Sequence, residues 1–146
     1  MPSDSGGLES NSPQDWPHKV SHMANTSLKG LRVLVVEDEY FLAKDLEKAL
    51  IAAGADVVGP IPDLVNALQQ TVESAFDVAI IDINLRGSHA YAIGEILQRR
   101  GIPFVFATGY TASSIPKRFC QITRWEKPYD MGAMLADVAR LCSGSE

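Results

Sequence analysis

Acidic, hydroxyl and basic side chains stand at or just after the ends of four short apolar segments of this 146-residue chain. In chain order they are Glu37, Asp38, Glu39, Asp82, Thr108 and Lys127. Carboxylates crowded at one point repel each other, and raised pKa values or a bound divalent cation relieve that repulsion. Hard oxygen ligands suit Mg²⁺, which usually takes one or two carboxylates together with phosphate oxygens. The set predicts a phosphoryl-transfer site, because such transfer requires little of a protein beyond positioning and charge neutralisation.

The apolar segments that carry these residues alternate with helical patterns. Continuous apolar runs typical of strands buried on both faces cover 31–36, 55–59, 77–82, 102–107 and, more weakly, 121–125. Apolar residues at helical spacing cover 42–53, 64–72, 92–97 and 131–141. This alternation predicts an α/β fold, a five-stranded parallel sheet with helices on both faces. Ligands of such sheets bind beyond the carboxyl ends of the strands, where the charged residues then meet.

Composition excludes several classes of function. The net charge is −5, from 13 Lys and Arg against 18 Asp and Glu, which argues against a nucleic-acid binder with a broad basic surface. No apolar stretch approaches the roughly 20 residues of a membrane span. The two cysteines, Cys120 and Cys142, are too few for a disulfide framework and indicate a reducing compartment. We expect a cytoplasmic protein that binds small molecules and proteins, and neither nucleic acid nor membranes.

The chain divides unequally along its length. Residues 1–27 are rich in Ser, Gly, Pro, Asn and Asp, which predicts a mobile N-terminal tail followed by one compact domain over 28–146. Only four residues follow Cys142. We therefore expect no DNA-binding or enzymatic output domain, and regulation through contacts with other proteins.

The charged residues at the ends of these predicted strands resemble those of the receiver domain of bacterial two-component response regulators. The resemblance is carried by Glu37-Asp38, Asp82, Thr108 and Lys127-Pro128, and it covers 31–142. Residues 103–110, PFVFATGY, further resemble the PFxFATGY group of single-domain receivers, which are often paired with HWE-type histidine kinases. The resemblance implies a flavodoxin-like (βα)5 fold with strand order 2-1-3-4-5. It also implies a phosphoacceptor signalling domain, whose phosphoryl chemistry is confined to its own aspartate, and not an enzyme.

The resemblance implies specific roles for the acidic residues. Asp82 would accept the phosphoryl group from the phosphohistidine of a sensor histidine kinase, forming an acyl phosphate. Asp38, Asp82 and the backbone carbonyl of Asn84 would ligate Mg²⁺, with Glu37 acting partly through water.

It implies roles for the other two positions as well. Thr108 and Lys127 would each hold one phosphoryl oxygen, and the bond between Lys127 and Pro128 would be cis. Such a domain would either deliver the signal to an unidentified downstream protein or drain phosphoryl groups from a shared kinase as a phosphate sink.

Two departures from the family pattern concern how the signal spreads. The position three residues before the lysine, aromatic in many receivers, is Arg124, and alternation places Trp125 on the opposite face of its strand. We therefore take Tyr110 and Gly109 as switch candidates, with Tyr110 shielding the phosphoryl site from water. The alternative is that Tyr110 lies on the surface and contacts a partner protein.

The second departure lies in residues 111–119, which contain a proline and leave room for about one helical turn. This predicts a short or mobile segment that phosphorylation orders.

Other interpretations of the same residues remain open. Asp38 is a favoured type of helix N-cap, and Asp82 suits an ordinary turn at the end of a strand. Two enzyme classes do not fit the acids at 37–39. A flavin or dinucleotide enzyme needs a glycine-rich loop there, and an aspartyl phosphatase usually has Asp-x-Asp there. The main alternative function is a protein-interaction module with a receiver fold that acts without phosphorylation.

Overall fold

The computed structural model describes residues 26–109 and 115–143. The elements in chain order are β1 Arg32–Val36, α1 Tyr40–Ala52, β2 Asp56–Ile61, α2 Leu64–Glu73, β3 Val78–Asp82, β4 Asn84–Leu85, β5 Ser88–His89, α3 Tyr91–Arg100, β6 Phe104–Thr108, a 3₁₀ turn Lys117–Phe119, β7 Arg124–Glu126 and α4 Met131–Ser143.

The central sheet has five parallel strands in the order β2-β1-β3-β6-β7. The predicted α/β class and the strand order 2-1-3-4-5 are therefore confirmed, counting only the strands of this sheet. The remaining two, β4 and β5, form a short antiparallel hairpin directly after β3. This hairpin, which sequence reasoning did not predict as strands, lies at the carboxyl edge of the sheet.

Both faces of the sheet are covered by helices, as the buried strand pattern predicted. Side chains alternate along β1, so that Leu34 and Val36 belong to one core cluster while Val33 and Val35 belong to the other. Residues of α2 and α3 complete the first cluster, and residues of α1 and α4 complete the second. The sheet is thus held from both sides, which fixes the positions of its strand ends.

Two strand boundaries differ from the sequence prediction. The fourth predicted strand, 102–107, is observed as β6 over Phe104–Thr108, so Thr108 lies within the strand. The fifth, 121–125, is observed as β7 over Arg124–Glu126. Pairing with the neighbouring strand decides these limits, since the register joins Phe106 to Arg124 and Thr108 to Glu126, whereas the apolar residues alone extend further toward the N-terminus.

Some predictions fall partly or wholly on residues that the structure does not describe. The proposed tail over 1–27 lies outside the described residues except for its last two positions. Tyr110 and the first four residues of 111–119 also lie outside them. In the described part of that segment, Lys117–Phe119 forms a single 3₁₀ turn. Within 26–109 and 115–143, no helix has the length and apolar character needed to cross a bilayer.

Candidate functional site

Three acidic side chains converge where β1 and β3 end. These strands are neighbours with Val36 opposite Ile81, so the residues that follow Val36 lie beside Asp82. One carboxylate oxygen from each of Glu37, Asp38 and Asp82 lies within 4.8 Å of the others. Glu37 is 3% exposed and Asp82 is 2% exposed. The arrangement confines several carboxylates to a mostly buried space.

Lys127 reaches this cluster from the end of β7. Its Nζ lies 3.0 Å from Glu37 Oε2, 3.0 Å from Asp82 Oδ2 and 3.1 Å from Glu39 Oε1. Its backbone N–H donates to the carbonyl of Thr108 at 2.8 Å, which ties the lysine to the end of β6. The peptide bond that follows Lys127 is cis, as predicted. One ammonium group therefore pairs with three carboxylates.

The charges in the cluster are not balanced. Burial, and next the neighbouring carboxylate of Glu37, raise the pKa of Asp82 to about 8, although Lys127 acts in the opposite direction. Burial lowers the pKa of Lys127, but the charges of Asp82 and Glu37 outweigh it and hold that pKa above its ordinary value. A single lysine is insufficient to neutralise the acids around it. A divalent cation with a preference for oxygen ligands fits this donor set.

The hairpin β4–β5 holds two of the acids in place. Asp38 Oδ2 accepts the backbone N–H of Arg86 at 3.0 Å, and Asp82 Oδ1 accepts the backbone N–H of Asn84 at 3.1 Å. The N-cap of α1 is Glu39, and no side chain caps it. The interpretation of Asp38 as a helix cap is therefore not supported, whereas Asp82 both starts the turn and belongs to the acidic cluster.

An open cleft of about 620 Å³ lies over the cluster. It is lined by Asp38, Glu39, Leu42, Asp82, Asn84, Gly109, Lys127, Pro128 and Tyr129. Thr108 is 6% exposed at the end of β6, directly before the lining residue Gly109. The structure thus brings together every predicted site residue that it describes, on one edge of the sheet.

Tyr129 is a residue of the cleft that sequence reasoning missed. Its hydroxyl is buried and has no hydrogen-bond partner among the described residues. Burial, and next the charge of Glu37, raise its pKa to about 12, so the phenol keeps its proton at neutral pH. Its position two residues after Lys127 was the only sequence signal that pointed to it.

Trp125 connects the same region to α4. Its ring lies 6.5 Å from that of Tyr129 in an edge-on arrangement, and its Nε1 donates to Asp137 Oδ2 at 3.0 Å. Asp137 is 5% exposed and also pairs with Arg140. Trp125 belongs to the core cluster on the α4 side while Arg124 is exposed, as strand alternation predicted. An acid within the apolar stripe of α4 was the available signal for this contact.

A family model described as the response regulator receiver domain matches residues 33–138. The chain belongs to the response regulator receiver domain family. It is also 34% identical over 84 residues to the sensory transduction protein LytT of Bacillus cereus, an alignment that covers 55% of this chain and 34% of LytT.

Solved structures show the same relationship. SdrG from Sphingomonas melonis Fr1 gives a TM-score of 0.61 at 34% identity, covering 76% of this chain and 96% of that one. The BeF3-activated conformation of SdrG, from Pseudomonas melonis Fr1, gives 0.62 at 38% identity and covers 75% and 95%. The response regulator PhyR from Brucella abortus gives 0.69 at 22% identity, covering 86% and 53%. This receiver thus spans about a third of LytT and about half of the PhyR chain.

The general properties of receiver domains apply to the acidic cleft. Receiver domains are phosphoacceptor signalling domains of two-component systems and not classical enzymes. They generally bind Mg²⁺ at an acidic pocket, and the carboxylates of Glu37, Asp38 and Asp82 form a cluster of that kind in this receiver.

Proposed function

We propose that this receiver accepts a phosphoryl group on Asp82 from a histidine kinase. The observation that carries the proposal is the position of the Asp82 carboxylate, 3.0 Å from Lys127 Nζ and within 4.8 Å of the acids of β1. A nucleophile, a cationic partner and a cation-binding group of oxygens are therefore side by side. These are the components that phosphoryl transfer requires.

In the transfer, an oxygen of Asp82 attacks the phosphorus of the kinase phosphohistidine. The phosphorus–oxygen bond forms as the phosphorus–nitrogen bond breaks, and the histidine nitrogen leaves with the electron pair of that bond. The oxygen must be ionised to attack, and the ammonium of Lys127 stabilises the ionised form. Since burial and Glu37 favour the protonated form, the acidic cluster makes the nucleophile dependent on added positive charge.

Mg²⁺ supplies that charge when bound, because it neutralises carboxylate and phosphoryl oxygens together. Asp38, Asp82 and the backbone carbonyl of Asn84 would hold the ion, with Glu37 acting partly through water. The β4–β5 hairpin fixes this group, since its backbone N–H donors occupy one oxygen of Asp38 and one of Asp82.

Thr108 and Lys127 complete the site on the other side of Asp82. We propose that the Thr108 hydroxyl donates to one phosphoryl oxygen and that Lys127 pairs with another. The hydrogen bond between their backbones, 2.8 Å long, keeps the two residues at a constant separation.

In the cell, we propose a stand-alone regulator that works in the cytoplasm with a kinase of the HWE type. The motif PFVFATGY at 103–110 supports the kinase type. The 34% to 38% identity with SdrG, whose chain is covered to 95% or 96%, supports the stand-alone receiver. The receiver then either contacts a downstream protein or withdraws phosphoryl groups from a shared kinase. The lifetime of the phosphorylated receiver separates the two, since a phosphate sink must lose the phosphoryl group rapidly to accept another, whereas a signal carrier must keep it long enough to bind its downstream protein.

The decisive test follows the intact mass of the protein after incubation with a small acyl phosphate. We expect one phosphoryl adduct that requires Mg²⁺ and is absent from Asp82→Asn. If a small donor gives no adduct, transfer from a phosphorylated HWE-type kinase is the second arm. Failure of both donors would overturn the proposal and favour an interaction module that acts without phosphorylation.

A further inference from the structure

Glu39 differs from the other carboxylate partners of Lys127 in its contact with solvent. Its side chain is 64% exposed, whereas those of Glu37 and Asp82 are each 3% exposed. All three lie at nearly equal distance from Lys127 Nζ, between 3.0 and 3.1 Å. Glu39 is thus the partner of Lys127 that water can reach.

An ammonium group has three N–H donors and no acceptor. The contacts with Glu37, Glu39 and Asp82 use all three donors of Lys127. Bond formation to phosphorus removes the charge of the Asp82 carboxylate and frees the donor that it holds. A second hydrogen bond from Lys127 to the phosphoryl oxygens, however, requires that Glu37 or Glu39 give up its own. Releasing a buried carboxylate leaves a desolvated charge without its partner, which is costly, whereas an exposed carboxylate returns to water at little cost.

We propose that Glu39 is a positioning residue, which holds Lys127 over the cleft before phosphorylation and is displaced from it by the phosphoryl group. The inference rests on the proposed function and adds to it that Glu39 competes with the phosphoryl group for Lys127. The Glu39 carboxylate and the phosphoryl group seek the same donor of Lys127. Wild-type protein should therefore bind a phosphoryl analogue less tightly than a protein whose residue 39 does not engage the lysine.

The backbone of Glu39 has separate roles that substitution of its side chain preserves. Its N–H donates to Glu37 Oε2 at 2.9 Å, and the residue is the N-cap of α1 without a side-chain cap bond. Changes confined to the side chain therefore leave the position of Glu37 and the start of α1 intact.

The test measures the affinity for BeF3−, with Mg²⁺ present, by isothermal titration calorimetry. Glu39→Gln removes the charge, and Glu39→Asp keeps the charge but shortens the reach by one methylene. Glu126→Gln is the matched control, because Glu126 is exposed next to Lys127 and is not among its described partners. Loss of an exposed ion pair of this kind should tighten the binding of BeF3− about two- to five-fold in both Glu39 variants. Glu126→Gln should leave that affinity unchanged.

The Asp variant separates direct competition from the general effect of negative charge on an anion. If Glu39→Asp binds like wild type while Glu39→Gln binds more tightly, charge alone is responsible and the inference is wrong. Equal affinity of wild type and both Glu39 variants would also overturn it, with the proposed function intact. If neither wild type nor the variants bind BeF3−, the inference fails, and phosphorylation by the acyl phosphate or the kinase decides the proposed function separately.

Discussion

Asp82→Asn should make the metal-free protein more stable at pH 8, although it removes the group that we expect to be phosphorylated. The Asp82 side chain is 3% exposed and lies beside the buried carboxylate of Glu37. Asparagine has the same shape without the charge. Lys127 keeps its contacts with Glu37 and Glu39 in the variant, so the ammonium remains paired.

The size of the effect follows from the pKa of Asp82. Burial and Glu37 raise that pKa to about 8 in the folded protein, against about 3.9 in the unfolded chain. The folded state then holds a proton that the unfolded state has lost, so the contribution of Asp82 to stability is most favourable below about pH 4 and falls as the pH rises to 8. At about 1.4 kcal/mol for each pKa unit, the upper limit is about 6 kcal/mol. Because the cleft admits water, we expect about 2 kcal/mol between pH 5 and 8.

The assay is thermal unfolding of wild type and Asp82→Asn at pH 5, 6, 7 and 8 with a chelator present. The melting temperature of the variant should exceed that of wild type by a margin that grows with pH to about 6 °C. Asp56→Asn, an exposed acid at the start of β2, is the control and should show a constant difference. With Mg²⁺ in place of the chelator, the wild type should gain more than the variant.

Two results would refute this reasoning. A variant less stable than wild type at pH 8 would mean that the ion pair with Lys127 outweighs the cost of burying Asp82. A difference that does not change between pH 5 and 8 would mean that Asp82 is already ionised at pH 5.

Four further predictions address other parts of the cleft and the core. Mg²⁺ at 100 times its dissociation constant should stabilise the wild type by about 2.7 kcal/mol. Asp38→Ala should abolish that gain and raise the melting temperature of the metal-free protein. A lower metal-free melting temperature in the variant would contradict the repulsion among the carboxylates. Tyr110→Ala should speed loss of the phosphoryl group, followed by intact mass over time, and an unchanged rate would refute the shielding role. Tyr129→Phe should raise the free energy of unfolding in urea by about 1 kcal/mol, since it removes a buried hydroxyl without a described partner; a loss of stability would show that the hydroxyl is bonded. Gly94→Ala should lower the free energy of unfolding by about 1 to 3 kcal/mol, because the added methyl would stand 2.9 Å from the ring of Phe119. An unchanged free energy would show that the ring moves freely.

The sequence by itself determined the fold class and the membership of the site. Apolar runs such as 31–36 and 77–82 lack the alternation of a half-exposed strand, and only a parallel sheet covered on both faces buries them fully. Once that sheet is inferred, the carboxyl ends of its strands share one edge. Asp82 and Lys127 are therefore expected to lie close together, regardless of the conformation of the loops. That rule depends on topology alone, which explains why it needs no coordinates.

Tertiary structure alone decided how the charges pair. Lys127 is 90 residues from Glu37 and 88 from Glu39, and no local pattern states which carboxylates its three donors reach. The same holds for the buried hydroxyl of Tyr129 and for the bond from Trp125 to α4, because burial and hydrogen bonding result from the packing of distant segments. The limits of β6 and β7 also depended on pairing between strands. Local sequence therefore fixes which residues reach the edge of the sheet, and long-range packing fixes which atoms touch there.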